Sequence, residues 1–385
     1  VSPPTRPTVG IDLRALVGRP SGIGWFTLAV ARRLAQRERF GVLGLAQAEP
    51  FEAAALRAAG ARVETQPAPF GYFWQQLRLP PRLAGPDVDL FWSPLFTLPL
   101  NLPVPGVVTV HDLSVFLLPE AHRFKVRWSL RPFLAGSLRR ARWIAADSEA
   151  TARDLGRRFP SLAHKVRIVY PGVDAEFRPA PADEIARTRQ ELECPDGYLL
   201  FSGTLEPRKN VELLLDVWEV LRRAGEAPPL VICGGYGWHS EPLAERIQRL
   251  HGAGVHNLGH LPRERLIRVM QAAHAFVYPS LFEGFGLPVA EAMACGVPTL
   301  ASRRSSLPEV VGNGGILFDP EEPAELAAAL RLILQEPAYA AQLSQRGLAQ
   351  AARFDWDQTA ERMEELFDRA LRDRAERPGP ESGLG

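Results

Sequence analysis

Two series of short β-branched runs, each alternating with longer amphipathic stretches, constrain this chain more than any other feature. The first series is residues 8–13, 90–93, 107–111, 143–147 and 166–170. The second is residues 198–202, 230–233, 275–278 and 299–302. Segments of helical period lie between them, for example 24–35, 211–224, 241–250, 263–272 and 323–335. Strand–helix alternation of this kind implies parallel sheets covered by helices on both faces. Two series in 385 residues predict two doubly wound α/β domains.

The break between the series falls in residues 173–196, which hold three prolines and no strand pattern. The expected division is a first domain over 1–175 and a second over 176–355. A long polar helix over 356–376 is expected to pack back on the first domain. Residues 377–385 (RPGPESGLG) read as a disordered tail.

With 46% hydrophobic and 23% charged residues, the chain can build sizeable cores without a staple. Its three cysteines, Cys194, Cys233 and Cys295, have no ligand spacing and suggest no disulfide framework, which fits a reducing compartment. Cys233 and Cys295 sit in apolar runs and read as buried, inert thiols. No stretch reaches the roughly 18 apolar residues of a membrane span. The start has no signal-peptide hydrophobic region and lacks an initiator Met. A cytoplasmic location is expected.

The net charge of +1 hides an asymmetry. Residues 1–175 carry 23 basic and 13 acidic side chains, and the remainder 22 and 31. Residues 123–142 hold Arg123, Lys125, Arg127, Arg131, Arg139, Arg140 and Arg142 with no acid. This is either a solvated helix face or a surface for an anionic partner such as membrane phospholipid or a lipid-linked phosphate.

Four motifs stand where strands give way to helices. In residues 280–298 (SLFEGFGLPVAEAMACGVP) a glycine loop leads into a helix with Pro288 in its first turn. The amides around Phe285, Gly286 and Leu287 would face the carboxyl end of the sheet and favour an anion. Glu283 in the loop and Glu291 a turn into the helix offer carboxylates to paired hydroxyls. The bland alternative makes Glu283 a helix cap and Glu291 a solvated charge. In residues 201–214 (FSGTLEPRKNVELL), Arg208 and Lys209 stand beside a helix start near Asn210, where two cations can hold a diphosphate. In residues 107–113 (VVTVHDL), His111 ends an apolar strand; it is either structural or poised to bond a hydroxyl or transfer a proton. In residues 20–27 (PSGIGWFT), Gly22 and Gly24 open a helix to which a phosphate can come close.

A nicotinamide-binding reading of that last motif is excluded by its spacing. Thr27 stands at the third glycine position, the motif does not follow the strand directly, and no acid ends a second strand about 20 residues on. Asp87 and Asp89 precede a strand instead of ending one and read as turn residues. His251, His256 and His260 have no metal spacing.

Taken together these residues resemble the retaining glycosyltransferases of family 4, which have the GT-B fold. Glu283 and Glu291 form the E-x7-E motif of that family. The resemblance runs in order through SGIG (21–24), VHDL (110–113), ADSEAT (146–151), YPGVD (170–174), SGTLEPRKN (202–210), CGG (233–235), GHLP (259–262), EGFGLPVAEAMACGVP and SSLPEVVG (305–312). It implies two doubly wound Rossmann-like domains facing each other across a deep cleft. It also implies transfer of a hexose from a nucleotide sugar with retention and with no essential metal or other cofactor. Glu291 would bind the ribose, Arg208 and Lys209 the diphosphate, and Glu283 with the amides of Phe285, Gly286 and Leu287 the transferred sugar. Leu261 would lie near the base, Gly22 near a phosphate, and His111 against the sugar. Two positions depart from the family pattern: Thr204 where Arg is frequent, and Trp25 after SGIG where Arg is common. SGTLEPRKN and FWQQLRLP (73–80) are most similar to bacterial polysaccharide mannosyltransferases. That similarity favours GDP-mannose as donor and a saccharide or lipid-linked acceptor, with no nucleic-acid partner.

Chemically, such a reaction must stabilise a leaving diphosphate and an oxocarbenium-like sugar. No carboxylate is obviously placed as a nucleophile, so the expectation is same-face attack assisted by the leaving phosphate, with domain closure completing the site. Two other classes compete: a GT-B epimerase or phosphorylase-like enzyme, and a non-catalytic sugar-nucleotide sensor. Intact Glu283, Arg208, Lys209 and His111 argue against the sensor.

Overall fold

The structure is a computed structural model. It describes residues 6–375 apart from 19, 69, 119–123 and 195; for 72, 124–130 and 374–375 it describes the backbone alone. The tail expected over 377–385 lies outside the described residues, as do Arg123 and the side chains of Lys125 and Arg127 from the basic stretch. The chain divides into two compact units, residues 1–172 with 356–385, and residues 173–355.

Unit 1 holds seven strands: β1 (Thr8–Asp12), β2 (Gly41–Ala46), β3 (Arg62–Thr65), β4 (Leu90–Ser93), β5 (Gly106–Val110), β6 (Trp143–Ala146) and β7 (Val166–Ile168). They form one sheet in the order β3-β2-β1-β4-β5-β6-β7, with every pairing parallel. Strands β4 and β5 are buried along their whole length, which explains why they read as unbroken apolar runs and not as alternating ones. One face packs Phe26, Val30 and Leu34 against Trp92; the other packs Trp74, Phe91, Val108 and Leu134. The helix Trp356–Ala375 belongs to this unit. Its apolar stripe, Trp356, Met363, Phe367 and Ala370, joins the first face. Trp356 meets Phe26 edge-on at 5.8 Å, and Phe367 meets Phe40 at 5.7 Å. Thr359 Oγ1 donates to the Tyr170 carbonyl at 2.7 Å.

Unit 2 holds six strands: β8 (Leu199–Ser202), β9 (Leu230–Cys233), β10 (Val255–Gly259), β11 (Ala275–Tyr278), β12 (Thr299–Ser302) and β13 (Ile316–Phe318). Their order is β10-β9-β8-β11-β12-β13, again all parallel. The sequence patterns miss β2, β3, β10 and β13. The reason is compositional: β2 carries two glycines, β3 (RVET) and β10 (VHNLG) are half-exposed edge strands, and β13 spans three residues.

In each unit the strand order reverses once, between β1 and β4 and between β8 and β11. Neighbouring crossovers run in opposite directions there, so the loops at the carboxyl ends diverge and leave a crevice. In unit 2 the loop after β8 carries Arg208 and Lys209, and the loop after β11 carries Glu283. Topology therefore brings together residues about 74 positions apart in sequence.

The described part of the basic stretch is partly absorbed by structure. Arg131 donates to the Val115 carbonyl, Arg140 to that of Leu102 and Arg142 to that of Asp373. Among the described residues no helix is long and apolar enough to cross a membrane.

Candidate active site

The unit 2 site is built around Glu283, which is buried. Its Oε1 accepts from Lys209 Nζ at 2.6 Å and from Ser280 Oγ at 2.5 Å. Its Oε2 lies 3.1 Å from Arg208 Nη1. Burial alone would raise the carboxyl pKa, but Lys209 and Arg208 outweigh it and hold the group down at about 2. Glu283 is thus a carboxylate at every working pH. It does not cap the helix Leu287–Ala294, whose cap residue is Gly286 with no side-chain hydrogen bond.

Neither Lys209 nor Arg208 is a solvated surface cation. Lys209 is 7% exposed and also donates to the Tyr278 hydroxyl at 2.7 Å. Burial pulls its pKa down, and Glu283 restores only part of this because Arg208 repels the ammonium. Arg208 donates to Glu206 Oε1 through Nε at 3.0 Å and Nη2 at 2.6 Å, and to the Phe282 carbonyl. The two cations face two carboxylates, Glu206 and Glu283, so the expected diphosphate clamp is charge-balanced before any ligand arrives. Glu206, Tyr278 and Ser280 were missed in the sequence as site residues. For Glu206 the sequence shows only that an acid stands two residues before Arg208 in the same loop; the structure shows the two paired.

The two loops are stitched to each other. The Leu281 amide donates to the Arg208 carbonyl at 2.9 Å. Ser305 and Ser306 hydroxyls donate to the Glu283 carbonyl at 2.6 and 3.0 Å, and Ser306 also contacts that of Phe285 at 2.8 Å. Two serines of the SSLPEVVG motif thus fix the backbone that presents Glu283. Gly286 has φ +101°, and a Cβ there would also meet Leu307 Cδ2 at 2.6 Å. Only glycine permits this entry to the helix. Pro288 occupies the first turn, as the sequence suggests. Phe285 is buried against Phe354, ring centroids 5.1 Å apart.

Glu291 sits mid-helix, half-buried, and burial is the main cause that raises its pKa to about 7. Arg263 opposes that rise and Asp174 adds to it. Arg263 is held by an ion pair to Asp174, and its guanidinium lies 5.0 Å over the Phe177 ring. Leu261, half-exposed, lies in the short loop that leads from β10 to the helix Arg263–Gln271. Gly203 and Gly234 let two loop backbones touch: a Cβ on Gly234 would stand 1.9 Å from the Gly203 carbonyl oxygen.

In unit 1 the helix Gly22–Arg37 begins at the expected motif. The two glycines have different reasons to be there. A Cβ on Gly24 would lie 2.7 Å from the Ala15 carbonyl, so packing within the fold, and not ligand approach, requires that glycine. A Cβ on Gly22 would meet open space. Trp25 packs edge-on against Phe51 at 5.7 Å. His111, at the end of β5, has both ring nitrogens engaged: Nδ1 lies 2.5 Å from Asp147 Oδ2, and Nε2 2.7 Å from the Pro94 carbonyl. Any hydroxyl contact or proton transfer by His111 therefore has to start from a ring whose two nitrogens are both already bonded. Asp89 accepts from the Thr8 amide at 2.8 Å, and Asp87 pairs with Arg82 and Arg62. Among the described residues no group of three or more His, Cys, Asp or Glu is placed to hold a metal ion.

Two parallel, doubly wound units, the second with a cation–carboxylate cluster at its strand-order reversal, define a glycosyltransferase of the GT-B class. The chain belongs to the family 4 glycosyltransferases. A sequence profile described as Glycosyltransferase Family 4 matches residues 20–177, and one described as Glycosyl transferases group 1 matches residues 183–350. The chain is 35% identical over 272 residues to the O-antigen chain mannosyltransferase B of Escherichia coli, covering 70% of this chain and 71% of that protein. It is 33% identical over 288 residues to the E. coli serotype-specific mannosyltransferase WbdA, covering 72% of this chain and 35% of WbdA, so it spans about a third of that longer protein. Among solved structures, Anabaena Alr3699/HepE in complex with UDP-glucose superposes with a TM-score of 0.76 at 21% identity, over 94% of this chain and 99% of that one. That likeness speaks for the fold.

Proposed function

We propose that this glycosyltransferase moves mannose from GDP-mannose, with retention and without an essential metal, onto a saccharide or lipid-linked acceptor in cell-envelope or exopolysaccharide synthesis. The mannosyl reading is supported by the names of the relatives it resembles over 70–72% of its length. The single observation that carries the site assignment is the cluster of Glu283, Lys209, Arg208 and Glu206 at the reversal of the unit 2 sheet.

Arg208 and Lys209 take the diphosphate. A dianionic group reaching them competes with Glu206 for the guanidinium fork, and Arg208 can turn from one to the other because carboxylate and phosphate both accept two of its N–H bonds. Glu283, held ionised, accepts hydrogen bonds from the hydroxyls of the transferred sugar, and the amides of Phe285, Gly286 and Leu287 donate to its oxygens. Glu291 accepts from the ribose, and Leu261 lies beside the base. For Gly22 and His111 the family resemblance implies contact with a phosphate and with the sugar. The positive charge beside the leaving diphosphate is preorganised, so it stabilises charge that develops as the glycosidic bond breaks. Glu283 is occupied by Lys209 and Ser280, which favours leaving-phosphate assistance over a covalent carboxylate intermediate. Arg139, Arg140 and their neighbours make a peripheral contact with an anionic cytoplasmic membrane surface.

The test is thermal stabilisation by GDP-, UDP-, ADP- and TDP-sugars, run on the wild type, Arg208→Ala and Glu291→Ala. A shift with GDP-mannose alone, absent from both variants, is expected. A shift confined to another donor rejects the mannosyl reading, and a shift that survives in both variants rejects the site.

A further inference from the structure

The ADSEAT segment, which the donor site leaves unused, encloses His111. Strands β5 and β6 are parallel neighbours with Val110 opposite Ala146, so the next residues, His111 and Asp147, emerge side by side. Asp147 Oδ2 reaches His111 Nδ1 at 2.5 Å. Ser148 caps the helix Glu149–Arg158 by accepting from the Thr151 amide at 3.0 Å. Thr151 Oγ1 then donates to the His111 carbonyl at 3.1 Å. Phe26 and Phe96 close on the ring edge-on at 5.2 and 5.3 Å. Phe96 has φ +63°, a left-handed conformation that costs a bulky residue energy and here turns the loop after β4 back over the histidine.

We propose that Asp147 is the positioning residue for His111: it fixes the ring and keeps a proton on both nitrogens, so that His111 meets a ligand only as a hydrogen-bond donor. The geometry carries the argument. A carbonyl oxygen only accepts, so the 2.7 Å contact to Pro94 requires a hydrogen on Nε2. The carboxylate opposite Nδ1 then favours a second hydrogen there. Asp147 is 5% exposed, and its Oδ1 has no hydrogen-bond partner among the described residues. Removing the shared proton would leave a buried carboxylate uncompensated at both oxygens, which is costly.

The charged groups facing the ring agree. Burial pushes the imidazole pKa down, but Asp147, then the Pro94 carbonyl and Asp112, more than offset it and raise it above its ordinary value. Burial also raises Asp147, so the pair as a unit holds its proton. A sugar hydroxyl at this place must accept from Nε2–H, sharing or displacing the Pro94 carbonyl. That last step rests on the donor-site reading above; the protonation claim does not.

The test is imidazole ¹⁵N–¹H correlation spectroscopy of the full chain across pH 5–9, with His111 signals assigned from a His111→Gln sample. The wild type is expected to show both nitrogens of His111 protonated at pH 6.5, with a midpoint above that of an ordinary histidine. Asp147→Asn is expected to move the midpoint down by about one pH unit or more. A neutral single-tautomer ring in the wild type at pH 6.5, or an unmoved midpoint in Asp147→Asn, overturns the proposal. If Asp147→Asn does not fold, the wild-type spectrum alone decides. Neither arm uses a sugar nucleotide, so loss of this inference is distinct from loss of the transferase reading.

Discussion

Replacing Glu283 with Gln removes one charge from a buried ion-pair cluster in unit 2 while keeping its shape. In the wild type, Glu283 satisfies Lys209, Ser280 and Arg208 together. The variant leaves the Lys209 ammonium buried with neutral acceptors alone, the Gln carbonyl oxygen and the Tyr278 hydroxyl, and no carboxylate against it. Two routes give the cost. A carboxyl held at about 2 instead of 4.5 is worth about 3 kcal/mol at neutral pH. Breaking a buried ion pair by removing one member costs roughly 3–5 kcal/mol. Unit 2 spans residues 173–355, a size at which each kcal/mol moves the melting temperature by roughly 2–4 °C. Calorimetry without ligand should therefore show unit 2 of Glu283→Gln melting roughly 6–20 °C lower at pH 7. The pH dependence has a fixed sign. A depressed folded pKa contributes stability above the unfolded value, and this is lost as pH falls from 4.5 towards 2. The gap between variant and wild type should narrow in that window by about 1.4 kcal/mol per pH unit. Freed of Glu283, Arg208 and Lys209 should bind free nucleoside diphosphate at least as tightly as before, while sugar transfer falls. A melting difference below about 2 °C, or a gap that does not narrow on acidification, would refute the reasoning.

Other expectations follow from the same geometry. Glu291, raised to about 7, favours its neutral form in the fold, so its contribution is full below 4.5 and is lost as pH rises through 7. Glu291→Gln should gain on the wild type in stability between pH 5 and 8, by at most about 3 kcal/mol, read from melts at each pH. If the carboxylate holds the ribose, wild-type nucleotide affinity should rise about tenfold from pH 6 to 8 and stay flat in that variant. Gly234→Ala drives a Cβ to 1.9 Å from the Gly203 oxygen at φ +147° and should cost upward of about 3 kcal/mol, measured by denaturant unfolding. Gly22→Ala meets open space and should leave stability within about 0.5 kcal/mol, yet weaken donor binding if a phosphate approaches there.

The buried strands were legible because burial on both faces leaves unbroken apolar runs: β4, β9, β11 and β12 stand at the residues their patterns indicate. So were the helix starts at Gly22 and Leu287, where glycine and proline punctuate the chain. Edge strands β3 and β10 were not, because solvent on one side lets polar residues interrupt the pattern. The polar residues of the site divide the same way. Arg208, Lys209, Glu283 and Glu291 are visible in the sequence as residue types beside strand ends. What the sequence does not contain is their pairing. Whether Lys209 is a solvated cation or a buried one bound to Glu283 depends on β8 and β11 lying next to each other, a contact between segments 74 residues apart. The same holds for His111, whose proton inventory is set by Asp147 across β5 and β6 and by a carbonyl after β4. Local order of residue types thus determined the two doubly wound units and the chemistry on offer. Only the tertiary structure decided charge states and partners, because electrostatic energy depends on distance and burial, and strand order sets both.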